Sequence, residues 1–517
     1  DHRDLHTAYR RQRQMCIRDR GLDDRYDVVS QEVIDRLDRE LAVIEKLGFA
    51  NYFLVVWDLI RFARENGIPT NARGSGVGSL VCYSLYISHA CPLEHELLFE
   101  RFLDENRLEA PDIDIDICKT RRSELIQYTV NKYGEDCVAQ IGTFGTMSCR
   151  SVIADCARAL GLPYAESREL VDLVPETLGI TIEEAIAESE ELATRVSNEP
   201  AIEEIIKYAQ NLEGNVRNTG VHAAAVVVSN GQPITDFVPV MKNKRTGDAI
   251  ITQWAMAEVE EAGLLKLDFL GLKNLTVITD TIKAVKQNHG IDIDMHDLPE
   301  GDSKTYELLR NGQTKGVFQL EGGGISEFLT RLRPDCFNDI SAVLALYRPG
   351  PLGGGMTDTY VDVKNGKKRA KYAHPVLKEI LESTYGVMVY QEQVMQVLHR
   401  LGGIELSKAY TVIKASSKKK EEVIASNHDA FMQGCRAQGL RAQTAAEIWN
   451  MILQFAGYGF NNSHTVAYAQ VSYITAYLKA HYPLEFMASI LTADVPNRNF
   501  TKKDALCEHL DLSLIHI

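Results

Sequence analysis

Between Ile34 and Arg64 the apolar positions recur at helical spacing, with Leu37, Leu41, Ile44 and Leu47 along one side, which predicts helix through the stretch. A break rich in Gly, Pro and Asn at 67–72 leads into Arg73-Gly-Ser-Gly-Val-Gly-Ser79, and Leu80 to Ile87 then reads as an apolar, helix-like run. Short β-like segments are predicted at 112–118, 223–229 and 263–270. Residues 148–215 read as helices with an acidic surface. From about 276 to about 495 the pattern is mostly helical, with turns expected at Pro349-Gly-Pro351 and Gly457-Tyr-Gly459. The pattern describes a mixed α/β unit, interrupted by a helical insertion and followed by a larger helical region.

Composition narrows the class. The chain has 517 residues, 45% hydrophobic and 25% charged, as an ordinary globular protein of several domains does. No apolar run approaches the roughly 20 residues of a membrane span. The longest candidate, Tyr52 to Trp57, stops at Asp58, and with no apolar leader the expected location is cytoplasmic. Ten cysteines without a Cys-x-x-Cys pair predict reduced thiols rather than a disulfide frame or a zinc site. Residues 1–20, with six arginines, and His509 to Ile517 continue no pattern; both are expected to be disordered or foreign to the native protein.

The richest stretch is Pro111-Asp-Ile-Asp-Ile-Asp-Ile-Cys118. In a strand, Asp112, Asp114 and Asp116 share one face and Ile113, Ile115 and Ile117 the other. Three like charges on one face repel unless cations neutralise them. Carboxylates two apart can jointly ligate two Mg²⁺ ions about 3.5–4 Å apart, the arrangement used for in-line phosphoryl transfer. The alternative is an exposed edge strand made acidic to prevent aggregation. In Gly263-Leu-Leu-Lys-Leu-Asp-Phe-Leu270, Lys266 and Asp268 share a face; paired beside the first strand, this segment adds a third carboxylate and a cation for phosphate.

Gly74-Ser-Gly-Val-Gly-Ser79 precedes a predicted helix, where glycines let backbone approach a phosphate and free N–H groups face an anion. No Gly-Lys-Ser/Thr closes it, so it is not a Walker A loop. A Gly-Ser turn, an Asp-x-Asp strand and a later single Asp together resemble the nucleotidyltransferase palm of the polymerase β type. Charge alone decides little: the net −15 is unusual for a DNA-binding chain. Two basic clusters interrupt it, Lys364, Lys367, Lys368, Arg369 and Lys371, and then Lys414 with Lys418 to Lys420.

From about Gly21 to Asp494 the chain resembles the α subunits of bacterial DNA polymerase III, the family C replicative polymerases. The motifs that carry the resemblance come in order: Arg73 to Ser79, Leu98-Phe-Glu-Arg-Phe-Leu103 running into the Asp strand, Thr143-Phe-Gly-Thr146, and Leu264 to Leu272. Val317-Phe-Gln-Leu-Glu321, Tyr347-Arg-Pro-Gly-Pro-Leu352, Tyr385 to Met395, and Phe455 to Asn461 with Ser463-His464 follow.

The resemblance implies an α+β fold: a polymerase β-like palm at about 21–147 and 216–275, a helical thumb inserted at 148–215, and mainly helical fingers over 276–495. It implies Asp114, Asp116 and Asp268 as catalytic ligands of two Mg²⁺ ions, with Asp112 beside them. Arg73, Gly74, Ser75, Gly78, Ser79, Arg107, Lys266, Arg348 and Lys414 are then expected at the nucleotide. Primed template DNA and dNTPs would be the substrates. Sliding clamp, clamp loader and proofreading subunits would be partners, through regions mostly absent here. The family's fingers place adjacent arginines where this chain reads Val412-Ile-Lys-Ala-Ser-Ser-Lys-Lys-Lys420, and a lysine cannot reproduce an arginine's bidentate grip on phosphate.

Other residues keep two readings. His222 reads as a core or turn histidine or as a contact near the site. His464 reads as a DNA or nucleotide contact, with Asn461 to Ser463 as a helix cap. Tyr347, Tyr385 and Tyr458 read as base-stacking or as loop-corner packing. The competing function is a non-catalytic DNA-binding or scaffold relative, against which three retained aspartates and Lys266 argue.

Overall fold

The computed structural model describes residues 21–105, 111–177, 179–242, 250–417, 421–456 and 459–494. The chain divides into two units, one built from Asp1–Tyr128 with Asp268–Ile517, the other from Thr129–Leu267.

In the first unit the short strand β1 (Thr70–Arg73) pairs antiparallel with β2 (Asp114–Cys118), which pairs parallel with β7 (Leu265–Leu272, this unit from Asp268 on). β2 is central, and Ile115, Ile117 and Cys118 are buried along it together with Asp116, as a strand covered on both faces requires. Helices Gln31–Lys46 and Ala50–Glu65 bury Leu37, Ile44, Val56 and Leu59. The hydroxyl of Tyr52 accepts the backbone N–H of Ile113 at 2.9 Å, fixing the approach to β2. Helix Lys273–His289 follows β7 directly and ends on Gly290 in the left-handed conformation. Helix Asn462–His481 is buried nearly all round and reaches β1, where Asn71 Nδ2 donates to the carbonyl of Ala467 at 3.5 Å. The region beyond residue 290 is helical, and its residues between 377 and 455 build a core around Val394, Leu398, Val412, Phe431 and Trp449 that Leu98 joins.

In the second unit β3 (Val138–Thr146) pairs antiparallel with β4 (Val216–Val228) and parallel with β6 (Ile250–Thr252), which pairs antiparallel with β5 (Val240–Lys242). Gly142 sits at an irregularity of β3, where a Cβ would stand 2.3 Å from the carbonyl oxygen of Thr252, so only glycine fits. Five helices between Cys149 and Leu212 enclose a core of Val152, Ile153, Leu170, Ile182, Leu192 and Ile205.

The patterned segments settle close to their expected places: 112–118 as Asp114–Cys118, 263–270 as Leu265–Leu272, and 223–229 as the end of the longer Val216–Val228. Two expectations are corrected. The run Leu80 to Ile87 is helix only over Leu80–Ser84, because Tyr86 turns to φ 59°. Pro349-Gly-Pro351 opens a short helix, Pro349–Gly353, since proline is tolerated in a first helical turn. Of the expected turn at 457–459, only Gly459 lies within the described residues. Among the described residues no helix is long and apolar enough to cross a membrane.

Candidate active site

The registers of β1, β2 and β7 bring the acidic residues together. Arg73 lies opposite Asp114 and Asn71 opposite Asp116, while on the other side of β2 Asp114 lies opposite Asp268. Carboxylate oxygens of Asp112, Asp114 and Asp268 fall within 4.8 Å of one another. Asp112 is exposed at the mouth, and Asp268 is 9% exposed. Asp116 is one pleat deeper on β2, fully buried. The grouping thus includes Asp112, which was expected only as a neighbour, and sets Asp116 slightly apart.

Arg73 ties these residues together. Its Nη1 donates to Asp114 Oδ2 at 3.0 Å and its Nε to Asp116 Oδ1 at 3.2 Å. Burial would lower the guanidinium's pKa, but Asp114 and Asp116 reverse this and raise it. Burial pushes the Asp116 carboxyl up to about 6, against the pull of Arg73. The Tyr468 hydroxyl faces the same carboxyl, yet Asp116 Oδ2 is buried without a well-aligned donor. A cluster of carboxylate oxygens at this spacing suits hard divalent cations.

The glycine-rich turn lies beside the carboxylates. Gly74 adopts φ 80° and ψ −156°, and a Cβ there would stand 3.2 Å from Asp114 Oδ2. Ser75 is half-buried at the start of the 3₁₀ turn Ser75–Gly78. Gly78 and Ser79 are buried below it. The Gly78 carbonyl accepts from Arg36 Nη2 at 3.0 Å, and the Ser79 hydroxyl donates to Glu40 Oε2 at 2.8 Å while capping Cys82 N. Gly74 therefore borders the carboxylates, whereas Gly78 and Ser79 are buried and bonded to Arg36 and Glu40.

Arg348 borders a cavity of about 340 Å³ with Tyr347, Phe460, His464 and Tyr468, the tyrosine that faces Asp116. Its guanidinium lies 4.1 Å over the Phe460 ring, and its Nε donates to the Ala345 carbonyl at 2.9 Å. Burial, and then Arg73, lower His464 to about 4, so it is a neutral imidazole at physiological pH. Asn461 caps its helix by accepting from Ser463 N at 3.0 Å. Tyr385 instead packs edge-on against Tyr360 at 5.0 Å and its hydroxyl meets Lys364 at 3.4 Å. Lys266 lies two residues before Asp268, and its ammonium stands 3.5 Å from Glu260. Lys414 is exposed on helix Leu406–Ser417. His222 lies within β4, where its Nδ1 accepts from Ala225 N at 2.8 Å. Arg107, Tyr458 and Lys418 to Lys420 lie outside the described residues. Asp335, Cys336 and Asp339 also cluster, but Lys364 supplies their positive charge at 2.9 and 2.7 Å from the two carboxylates.

Two participants escaped the sequence reading. Tyr468 sits mid-helix in an Ala-Tyr-Ala context that carries no signal. Glu40 does leave one: a carboxylate on the stripe of Leu37 and Ile44 has to be partnered when the helix packs.

Residues 13–271 match the family described as the bacterial DNA polymerase III alpha NTPase domain, and residues 274–439 match the bacterial DNA polymerase III alpha subunit finger domain. Proteins named DNA polymerase III subunit alpha are similar throughout. That of Buchnera aphidicola subsp. Schizaphis graminum is 44% identical, covering 92% of this chain and 42% of the relative. That of Bacillus subtilis is 43% identical over 93% of this chain and 43% of its own, and that of Escherichia coli O6:H1 is 42% identical over 90% and 41%. The chain thus spans about two fifths of the length of these relatives. On both domain matches and on identity sustained along its length, the chain belongs to the family of bacterial DNA polymerase III α subunits.

Proposed function

We propose that this chain is the catalytic core of a template-directed DNA polymerase that joins dNTPs to a primer 3′-hydroxyl. The observation that carries the reading is the parallel register that sets Asp114 against Asp268, with Arg73 bridging to Asp116. In this reading the palm comprises 21–147 and 216–275, the thumb 148–215 and the fingers 276–495.

Asp114, Asp116 and Asp268, with Asp112 at the mouth, would hold two Mg²⁺ ions, which supply a lowered pKa for the primer hydroxyl and neutralisation of the departing pyrophosphate. The hydroxyl oxygen bonds to the α-phosphorus as the bond to the β-phosphate oxygen breaks. Gly74 lets backbone approach the triphosphate and Ser75 offers it a hydroxyl. Arg73, Lys266 and Arg348 stabilise charge moving onto the leaving group. Arg107 and Lys414 remain proposed phosphate contacts. Tyr347, Phe460 and His464 line an aromatic cavity suited to the base and sugar. Base choice comes from the template. Primed DNA is the substrate, the work is cytoplasmic, and the clamp, clamp loader and proofreading subunits of the family are the proposed partners.

Primer extension with Mg²⁺ and four dNTPs, comparing the chain with Asp116→Asn, tests this. Template-dependent extension that disappears in the variant supports polymerase and site together. A folded chain that binds primed DNA without extending it points to the scaffold alternative or to a need for regions beyond this chain. Extension that survives in the variant refutes the metal assignment.

A further inference from the structure

Arg73 closes β1, and the antiparallel register places it against Asp114. Its two hydrogen bonds end on Asp114 Oδ2 and Asp116 Oδ1, both on carboxylates assigned above to cations. A buried carboxylate needs a counter-charge, and among the described side chains Arg73 is ion-paired to both aspartates. A guanidinium and a divalent ion cannot share the same oxygen lone pairs at full strength. Arg73 is also placed to move: its side chain is 22% exposed, and Gly74, the next residue, already uses a backbone region closed to most side chains.

We propose that Arg73 is a displaceable counter-ion, a positioning residue that occupies Asp114 Oδ2 and Asp116 Oδ1 until metal loads. Metal loading breaks at least one of its two bonds and turns the guanidinium toward the triphosphate. The inference rests on the polymerase reading for the identity of the cation. Its consequence is thermodynamic: metal affinity is reduced by the fraction of time Arg73 holds the aspartates, and an anion that gives Arg73 another partner restores it.

The test reads Arg73 directly. Phenylglyoxal modifies accessible guanidinium groups, and peptide mass spectrometry follows Arg73 in EDTA, in saturating Mg²⁺, and in Mg²⁺ with pyrophosphate. Binding of Mn²⁺ is measured in parallel from the spectrum of the free ion. Modification should be slow in EDTA, several-fold faster with Mg²⁺ and slow again with pyrophosphate. Asp116→Asn should be modified faster even in EDTA. Arg73→Ala should bind Mn²⁺ about five- to tenfold more tightly, the size of a typical coupling between two sites. Arg73→Lys, which keeps the charge without the two-pronged reach, should fall between, and it serves if the alanine variant folds poorly. Unchanged Arg73 modification with Mn²⁺ demonstrably bound, or no gain in affinity in either variant, overturns the proposal and leaves the polymerase reading standing. Absence of Mn²⁺ binding in the parent chain overturns the metal assignment and this proposal together.

Discussion

Asp114 and Asp268 face each other across a parallel strand pair, so two carboxylates far apart in sequence sit within the reach of one cation. Asp268→Asn keeps size and shape but removes one carboxylate charge from this cluster. Primer extension should fall by at least about 100-fold, as when a group acting only in the transition state is lost. The thermal midpoint should be unchanged within a degree or two. A loss of midpoint matching the loss of rate would make the residue structural.

Gly74 should tolerate no side chain. Its φ of 80° with ψ −156° is a region held almost only by glycine and costs an L-residue about 1–3 kcal/mol, and a Cβ would press on Asp114 Oδ2. Gly74→Ala is expected to lower both stability and extension rate, with the rate falling further than the stability alone accounts for. Denaturant unfolding and steady-state extension on the same preparation check this.

Ser79 and Glu40 should behave as scaffold. Glu40 is fully buried and accepts from Arg36 Nε at 2.6 Å, the Ser79 hydroxyl at 2.8 Å and Val81 N at 3.1 Å. Glu40→Leu leaves the half-buried Arg36 without its carboxylate and Ser79 and Val81 without their acceptor, and should cost about 3 kcal/mol. Ser79→Ala should cost about 1 kcal/mol, the loss of a helix cap, and leave the dNTP KM unchanged. A raised KM without lost stability would place Ser79 at the nucleotide instead.

Acid should loosen the chain through His95. Burial lowers its pKa to about 4 from 6.5, and its ring centroid lies 5.2 Å from that of Phe337. The neutral form belongs to the fold, so its stabilisation is complete above pH 6.5 and is lost progressively as pH falls toward 4. The thermal midpoint should fall between pH 7 and pH 5, and His95→Asn should make that dependence shallower.

Strong periodicity made the acidic strand and its partner legible. Alternating Asp and Ile admits one way of standing in a sheet, and the Leu, Lys, Leu, Asp alternation of β7 is nearly as plain. β1 was hidden because Thr70-Asn-Ala-Arg73 is four residues long, follows a Gly and Pro break, and contains Asn, a poor strand former. β3 was missed although Thr143-Phe-Gly-Thr146 lies in it, because two glycines interrupt its alternation. The site divides the same way. Carboxylates two apart advertise themselves, and Arg73 was expected at the nucleotide only through the resemblance its motif carries. That it grips Asp114 and Asp116 depends on strand register, which the pattern of one strand does not encode. Tyr468 reaches Asp116 only through the packing of a long buried helix.

The parallel pairing of β2 with β7 also sets a schedule for the newborn protein. A parallel neighbour cannot be reached by a tight turn, and here residues 119–264 intervene in the sequence between the two strands. Synthesis at about 5–20 residues per second delivers Asp268 on the order of ten to thirty seconds after Asp114. Until then the acidic residues of β2 have no β7 beside them, and the cluster of Asp112, Asp114 and Asp268 cannot assemble.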